Sequence, residues 1–403
     1  MKPRNIGLIR AVHSNKGDMA IFEGSLEIFS LLNIEPTHVF DVEPGFPSDY
    51  WDNRNIKIID TSLSSLEKNR SKYHAMKFLL TNETPSLQNI NDLDFIWYMG
   101  GSRFNTRFAP HVLAEILNAY YKKKILNSKL ILGGISTETP SNSYIYKNFY
   151  RQFAKNVEVF FIRDKISLSN LSSFKIPEEK LNLVIDFAFW LNSKKSEATV
   201  KLTKNIQENP KDLPIIGVIP VTSGLHSRKY SERFINMLKK IQDDYSIFFI
   251  PTSNNANVVS QPYEQDDYAF CLELNSKLEK KIPILDINNL EPSEIIEVMK
   301  KLDFVISMRM HGAIFGVLAN VPTLHIYYRN KGLGFFKTFF KNKVHLMSIN
   351  EFMDDFEINN LFKCLKESID QKKNYGQIYR EIIIKEKKNS FEIIKNRLKE
   401  TEN

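Results

Sequence analysis

Cysteine is scarce in this chain, with two in 403 residues, Cys271 and Cys364, far apart and each in an apolar helical setting. That excludes a disulfide framework and fits a reducing cytoplasm. No apolar run approaches the ~18 uninterrupted residues that a membrane span requires. The N-terminal stretch MKPRNIGLIRAV has no apolar segment of signal-peptide length before its first turn residues and reads as the first strand of a soluble fold. Neither a Walker A loop nor a GxGxxG fingerprint occurs, which argues against a nucleoside triphosphatase and a dinucleotide oxidoreductase. HExxH, CxxC and histidine clusters are missing too, so no metal site and no cofactor is expected. The net charge is +8, yet no RGG tract, zinc-knuckle spacing or aromatic-basic RNP motif accompanies it, so nucleic acid is not an expected partner. The basic excess suits anionic small ligands, with an anionic membrane surface as a weaker partner.

What is present is an ordinary globular composition, 42% hydrophobic and 25% charged, long enough for two or three domains. Short apolar segments alternate with helical patterns. Strands are expected at residues 6–10, 38–42, 57–60, 95–99, 130–132, 157–162 and 181–185, with helices such as 18–32 and 110–119 between them. Several of these strands are apolar throughout, as parallel strands covered on both faces should be. The polar stretch 193–212 reads as a linker between an N-terminal Rossmann-like domain, 1–192, and a second one, 213–372. The second domain has strands at 215–220, 247–251, 284–286, 304–307 and 323–328. Residues 373–403 carry Ile378, Ile382, Phe391, Ile394 and Leu398 on one helical stripe, so they should form a helix packing across both domains. The expected fold is therefore α/β: two doubly wound domains whose strand C-termini face a shared cleft.

The most informative segment is 303–331, DFVISMRMHGAIFGVLANVPTLHIYYRNK. A buried strand ends, Arg309 and His311 follow at once, and a helix begins. Unpaired N–H groups already make a helix N-terminus positive, and no Ser, Thr, Asp or Asn stands directly before this one to cap it. Adding cations there makes sense chiefly if an anion binds. The plainer alternative is a βαβ unit with an arginine at a loop.

Other segments offer weaker signals. His13-Ser14-Asn15-Lys16-Gly17-Asp18 ends the first strand, with Asp18 as the expected N-cap. Gly100-Gly101-Ser102-Arg103 and Gly133-Gly134 follow strands, as close-approach loops or tight turns. Arg163 follows strand 157–162 at the cleft rim, suited to bidentate anion contact or to a structural bridge with Asp164 or Asp186. The acidic pairs Asp243-Asp244, Asp266-Asp267 and Asp354-Asp355 read as solvated. Asp92-Leu93-Asp94 resembles a DxD metal motif but lies at the wrong end of its strand. Trp51, Trp97, Tyr98 and Trp190 could stack on sugars, though Trp97 and Trp190 have core-like neighbours.

An ordered set of these residues resembles the polysaccharide pyruvyl transferase family: Asn15-x-Gly17-Asp18, Gly100-Gly101, Arg163-Asp164-x-x-Ser167, Asp186-x-Ala188, and Arg309-x-His311 with Pro322 and Tyr328-x-x-Lys331. The loop 219–224, residues 251–253 and Gly133-Gly134-Ile135-Ser136 depart from the family pattern. The resemblance implies a GT-B-like fold and transfer of pyruvate from phosphoenolpyruvate to a sugar of a cell-surface glycan, usually as a ketal. It implies that Arg163, Arg309, His311 and Lys331 hold phosphoenolpyruvate, which acts as co-substrate. Asp18 and His311 are the candidate catalytic residues, and Asn15, Gly17, Gly100, Gly101 and Asp186 the acceptor or cleft-loop residues. Whether His311 is the general acid/base or a donor to the phosphate is open, as is lipid linkage of the acceptor. The expected setting is the cytoplasm or the inner face of the membrane.

Two other functions are compatible with the same fold. A GT-B glycosyltransferase using a nucleotide sugar often has an acidic residue, for the ribose hydroxyls, where this chain has Ala319. A non-catalytic anion- or glycan-binding protein of the same fold would be favoured by loss of a cation at Arg163, Arg309 or Lys331, and none is lost.

Overall fold

The computed structural model of the chain describes residues 4–43, 46–59, 90, 93–101, 110–137, 144–208, 213–221, 228–253 and 266–401. Residue 60, Asp92, Ser102, Arg103 and residues 209–212 and 222–224, named above, lie outside the described residues.

The first sheet holds β1 (Arg4–Ala11), β2 (Ile34–Val42), β3 (Lys57–Ile59), β4 (Phe95–Gly101), β5 (Lys129–Ile135), β6 (Val157–Ile162) and β7 (Leu181–Leu183). Their order is β3-β2-β1-β4-β5-β6-β7, and every pairing is parallel. Helices α1 (Lys16–Leu31), α2 (Ser48–Asp52), α3 (Pro110–Ile125), α4 (Tyr144–Lys155) and α5 (Lys165–Ser173) connect its strands. The second sheet holds β8 (Ile215–Ile219), β9 (Ser246–Phe249), β10 (Phe304–Ser307), β11 (Thr323–Tyr327) and β12 (His345–Ser348), in the order β12-β11-β10-β8-β9, again all parallel. Its helices are α6 (Glu197–Gln207), α7 (Arg228–Ile241), α8 (Asp267–Ser276), α9 (Pro292–Met299), α10 (Met310–Leu318), α11 (Asn330–Phe339), α12 (Ile349–Phe352), α13 (Asp355–Asp370) and α14 (Lys372–Glu400). Every residue of β4, β9 and β10 is buried. That is why these strands read as continuous apolar runs: helices cover both faces, and each large apolar side chain so buried contributes about 1.5–3 kcal/mol.

The chain forms two units. One comprises Met1–His13, Ile21–Trp190 and Glu386–Asn403; the other comprises Ser14–Ala20 and Leu191–Lys385. The short segment Ser14–Ala20, which carries the Asn15-x-Gly17-Asp18 motif, thus belongs with the second sheet rather than with the strand it follows. Lys16 donates its backbone N–H to Thr252 O at 3.0 Å and its Nζ to Asn288 O at 2.5 Å, and Asn15 bridges Ser253. The last helix is also divided. In the second unit its Lys372 pairs with Asp303 at 2.8 Å and Tyr375 bonds His345 at 2.8 Å. In the first unit Ser390 Oγ accepts from Ile185 N at 2.9 Å, and Arg397 Nε donates to Asn182 at 2.8 Å.

The structure departs from the sequence reading in three places. Residues 193–212 carry helix α6, opened by a reciprocal Ser196–Thr199 capping box and packed on α9. Lys194 N donates to Ser293 O at 3.0 Å, so this stretch is built into the second unit. With only Thr199 and Ile206 buried, α6 has too small an apolar stripe to announce itself. Residues 284–286 form one bridge, Ile284 to Phe249, instead of a strand. Pro283 precedes it, and a turn in which Asn288 N donates to Asp286 Oδ1 follows, leaving no room for a ladder. Strand β12 has an only partly buried pattern and no apolar run. Among the described residues, no helix is long and apolar enough to cross a membrane.

Helix α1 lies directly on the 3₁₀ turn Phe187–Trp190: a Cβ on Gly24 would stand 1.8 Å from Phe187 O. Backbone cannot yield as a side-chain tip can. Gly24→Ala is therefore expected to destabilise the protein by about 1–3 kcal/mol or more, read as a lower urea midpoint; an unchanged midpoint would show that the helix is free to shift.

Candidate active site

In the second unit, β10 ends at Ser307 and α10 begins at Met310, with Arg309 as its N-cap residue. Arg309 provides no side-chain cap hydrogen bond, as its chemistry requires, since a guanidinium cannot accept one. The neighbouring strand β11 leads into α11 in the same manner, with Arg329 at the N-cap and again no side-chain cap bond. Two adjacent strands therefore feed two helices whose N-termini lack caps. His311 stands at the second position of α10 and Lys331 at the second position of α11.

The Arg309 side chain is only 16% exposed and is bonded to a fully buried carboxylate, Asp267. Nε donates to Oδ2 at 3.0 Å and Nη2 to Oδ1 at 2.7 Å, a two-point fork. Burial pushes the Asp267 carboxyl up, and the Arg309 charge and hydrogen bond pull it back. Burial opposes the Arg309 charge, but Asp267, Tyr328 and Asp18 outweigh it and hold the guanidinium protonated. This corrects the expectation for the Asp266-Asp267 pair. Asp266 caps α8 by accepting from Ala269 N at 3.0 Å, whereas Asp267 is buried under the arginine. By contrast, Asp243 pairs with Lys280 at the surface, in keeping with a solvated role.

Asn15, not Asp18, caps α1: its Oδ1 accepts from Gly17 N at 2.9 Å and Asp18 N at 3.3 Å. The helix starts two residues earlier than expected, at Lys16. Asp18 is thereby moved into the first turn, within electrostatic reach of Arg309. Gly17 lies against the His311 ring, where a Cβ would come within 2.3 Å of Nδ1. Glycine is required here by this close approach. The first-strand motif and the Arg309-x-His311 motif, almost 300 residues apart in sequence, are thus neighbours in one unit.

His325, which by sequence is simply one residue of a strand, joins the two helix starts. Its Nδ1 bonds Ser307 O at 2.9 Å, and Ser307 Oγ donates to Arg309 O at 2.7 Å. Its Nε2 side is closed by Gly332, where a Cβ would lie 2.1 Å away. Burial pushes the His325 pKa down to about 4, assisted by the nearby charges of Lys331 and His311. Nδ1 thus carries the proton of a neutral ring, since a carbonyl can only accept.

The first unit gives the other motif residues an architectural setting. Arg163 is completely buried; Nη1 bonds Asp186 Oδ2 at 2.5 Å and Nε bonds Ser136 Oγ at 2.7 Å. Of the two structural partners open to it in the sequence, it takes Asp186. Asp186 Oδ1 also accepts from Ala188 N at 2.9 Å, opening the turn that supports α1. Asp164 caps α5, accepting from Ser167 N at 2.7 Å and from Ser167 Oγ at 2.6 Å. Gly100 is packed on β5, with a would-be Cβ 2.2 Å from both Gly133 O and Gly134 O, and Gly101 O accepts from Ser136 N at 3.1 Å. Trp51, Trp97, Tyr98 and Trp190 are all buried, so neither Trp51 nor Tyr98 presents a ring for stacking. Among the described residues no cluster of three or more His, Cys, Asp or Glu is arranged to hold a metal.

Removing one partner of a buried ion pair leaves an unpaired charge, which costs about 3–5 kcal/mol. Arg163→Ala should lower the urea midpoint accordingly; a midpoint like that of the parent chain would show the pair to be dispensable. His325 predicts a pH effect. Its ordinary pKa is 6.5 and its folded value about 4, so the unfolded chain takes up a proton that the folded chain refuses. Stability from this group is complete above pH 6.5 and falls by about 1.4 kcal/mol per pH unit down to pH 4. Urea unfolding from pH 7 to 4 should show a shallower decline for His325→Gln than for the parent chain, and equal slopes would remove His325 as the cause.

No curated protein matches this sequence. Solved structures do match over nearly the whole chain. A glycosyltransferase from Rickettsia africae ESF-5 is 16% identical, with 99% of this chain and 100% of that chain covered and a TM-score of 0.58. The Neisseria meningitidis UDP-GlcNAc 2-epimerase bound to UDP-GlcNAc is 14% identical, covering 98% and 100%, with a TM-score of 0.56. Anabaena Alr3699/HepE in complex with UDP-glucose is 11% identical, covering 97% and 99%, with a TM-score of 0.60. At these identities the likeness concerns the fold, which is GT-B-like, with two Rossmann-like units. The sequence profile described as polysaccharide pyruvyl transferase matches residues 15–330, from the Asn15 cap to the start of α11. That span takes in the Arg309-x-His311 helix start, the buried Arg163–Asp186 pair and the first-turn motif alike, and the chain belongs to the polysaccharide pyruvyl transferase family.

Proposed function

We propose that this protein transfers pyruvate from phosphoenolpyruvate to a sugar of a cell-surface polysaccharide or its precursor, forming a ketal and releasing phosphate. The observation that carries this reading is the convergence of Arg309, His311 and Lys331 on two uncapped helix N-termini in one unit. Phosphoenolpyruvate has a carboxylate and a phosphate a few ångströms apart, and a small dianion of that kind needs several fixed cations and N–H donors. A proton added to the methylene carbon makes the adjacent carbon oxocarbenium-like. One sugar hydroxyl adds there and gives up its proton, the bond to phosphate breaks, and a second hydroxyl closes the ketal. One hydroxyl proton ends on the new methyl group and the other on the released phosphate.

In this scheme Arg309 and Lys331 hold the anion and steady the leaving phosphate. His311, pressed against Gly17, is the group that exchanges protons, since histidine suits transfer near neutral pH. Asp18, in the field of Arg309, is the carboxylate placed to receive a hydroxyl proton. Arg163, being fully buried on Asp186, is assigned to the framework rather than to the donor. The acceptor, lipid-linked or free, is a sugar with two neighbouring hydroxyls. The reaction is placed in the cytoplasm, with membrane association, if any, through the basic surface. A nucleotide-sugar reading draws on the UDP complexes of structural neighbours, but Ala319 at the end of α10 offers no carboxylate for a ribose.

Thermal-shift titration separates the two readings. Phosphoenolpyruvate at 100 times its dissociation constant should stabilise by about 2.7 kcal/mol, UDP-glucose should not, and Arg309→Ala should sharply reduce the response. Stabilisation by UDP-glucose alone would reverse the conclusion. His311→Ala should cut phosphate release from phosphoenolpyruvate by ~100-fold or more, in line with loss of a proton-transfer group; full turnover would remove His311 from the chemistry.

A further inference from the structure

Asp267 lies outside every motif that points to the donor site, yet it accepts two side-chain hydrogen bonds from the central arginine. These bonds occupy one edge of the guanidinium, from Nε to Nη2. No described residue bonds Nη1. Arg309 is therefore a fork with one edge fixed in the protein and the opposite end, Nη1 with the second N–H of Nη2, left for a ligand.

The carboxylate is itself held firmly. Asp267 is the first residue of α8, where the helix dipole favours negative charge. Its backbone N–H donates to Ser253 O at 2.9 Å. Ser253 bridges Asn15, and the adjoining Thr252 O accepts from Lys16 N at 3.0 Å. The chain segment that anchors Asp267 is thus the one that anchors the cap of α1, and with it Gly17 and Asp18. A buried ion pair is a poor source of net stability compared with apolar side chains of similar size, so orientation is the better reason for its presence.

We propose that Asp267 is a positioning residue of the donor site, turning Arg309 so that its outer guanidinium end meets the anion and holding that end in register with the Asn15–Asp18 turn. The inference rests on the phosphoenolpyruvate reading above and adds a residue that the reading did not contain.

The test is titration calorimetry on the full chain with two probes, phosphoenolpyruvate and inorganic phosphate. It uses the parent protein, Asp267→Asn, Asp267→Glu, Arg309→Ala and the Asp267→Asn/Arg309→Ala double variant. Asp267→Asn should weaken phosphoenolpyruvate binding at least 10-fold. The double variant should bind no more weakly than Arg309→Ala alone, because Asp267 acts only through the arginine. A merely structural role would instead add its loss to that of Arg309→Ala, and that result overturns the proposal. So does parent-like affinity in Asp267→Asn. Should Asp267→Asn fail to fold, Asp267→Glu decides: it keeps the charge but moves the carboxylate by one methylene, and a folded Asp267→Glu with unchanged affinity also overturns it. If the parent binds phosphate but not phosphoenolpyruvate, the functional reading falls, and the phosphate affinities of the same variants judge the positioning role by the same criteria. If the parent binds neither probe, both fall.

Discussion

A guanidinium removed from most of its water needs a counter-ion nearby, and the second unit is arranged around that requirement. Arg309 is held by the fully buried Asp267. To deliver that carboxylate, α8 must start beside the N-cap of α10, and Asp267 N is tied to Ser253, which with Thr252 holds the cap of α1. The same arginine's carbonyl receives Ser307 Oγ, and the Ser307 carbonyl receives His325. One ion pair therefore sits at the junction of three chain segments: the first-turn motif, the start of α8 and the start of α10. Its desolvation is unfavourable by itself and is offset only because geometry, helix dipole and hydrogen bonds all agree. That agreement fixes the orientation of the Arg309 guanidinium.

The first unit applies the same physics to a different end. Arg163, Asp186, Ser136 and the Asp164–Ser167 cap link the ends of β5, β6 and β7 into one buried polar network. Each member is satisfied, so burying it is tolerable. The strand-end motifs there, Arg-Asp-x-x-Ser and Asp-x-Ala, hold loops and turns in place, and Gly100 permits β4 and β5 to approach. Two strand-end arginines that look alike in sequence thus have different surroundings: Arg163 is enclosed with Asp186, and Arg309 is paired with Asp267 at a helix start.

Much of the fold could be read from residue pattern. Apolar runs such as those of β4 and β10 mark doubly covered parallel strands, and the uncapped start of α10 could be foreseen because Arg309 cannot accept a hydrogen bond. The pattern failed where burial was slight or shared. Helix α6 buries two residues, β12 is partly exposed, and 284–286 is a single bridge between a proline and a turn. Asp and Asn are nearly equivalent as caps, so Asp18 and Asn15 both suit the start of α1, and a two-residue difference in where the helix starts selects Asn15.

Sequence alone determined the alternation of strand and helix, the parallel character of both sheets and the placement of Arg309 and His311 at a helix start, because these follow from local periodicity and short-range chemistry; the helix start that carries Lys331 emerged only in the fold. Tertiary structure decided what each charge faces. Asp267 looked like half of a solvated acidic pair and is the buried partner of Arg309; Arg163 suited either an anion or a structural bridge and is enclosed with Asp186. His325 looked like strand filler and joins two helix starts. These outcomes depend on contacts between residues tens to hundreds of positions apart. Burial and pairing of a charge are properties of the folded environment, and residue identity does not carry them.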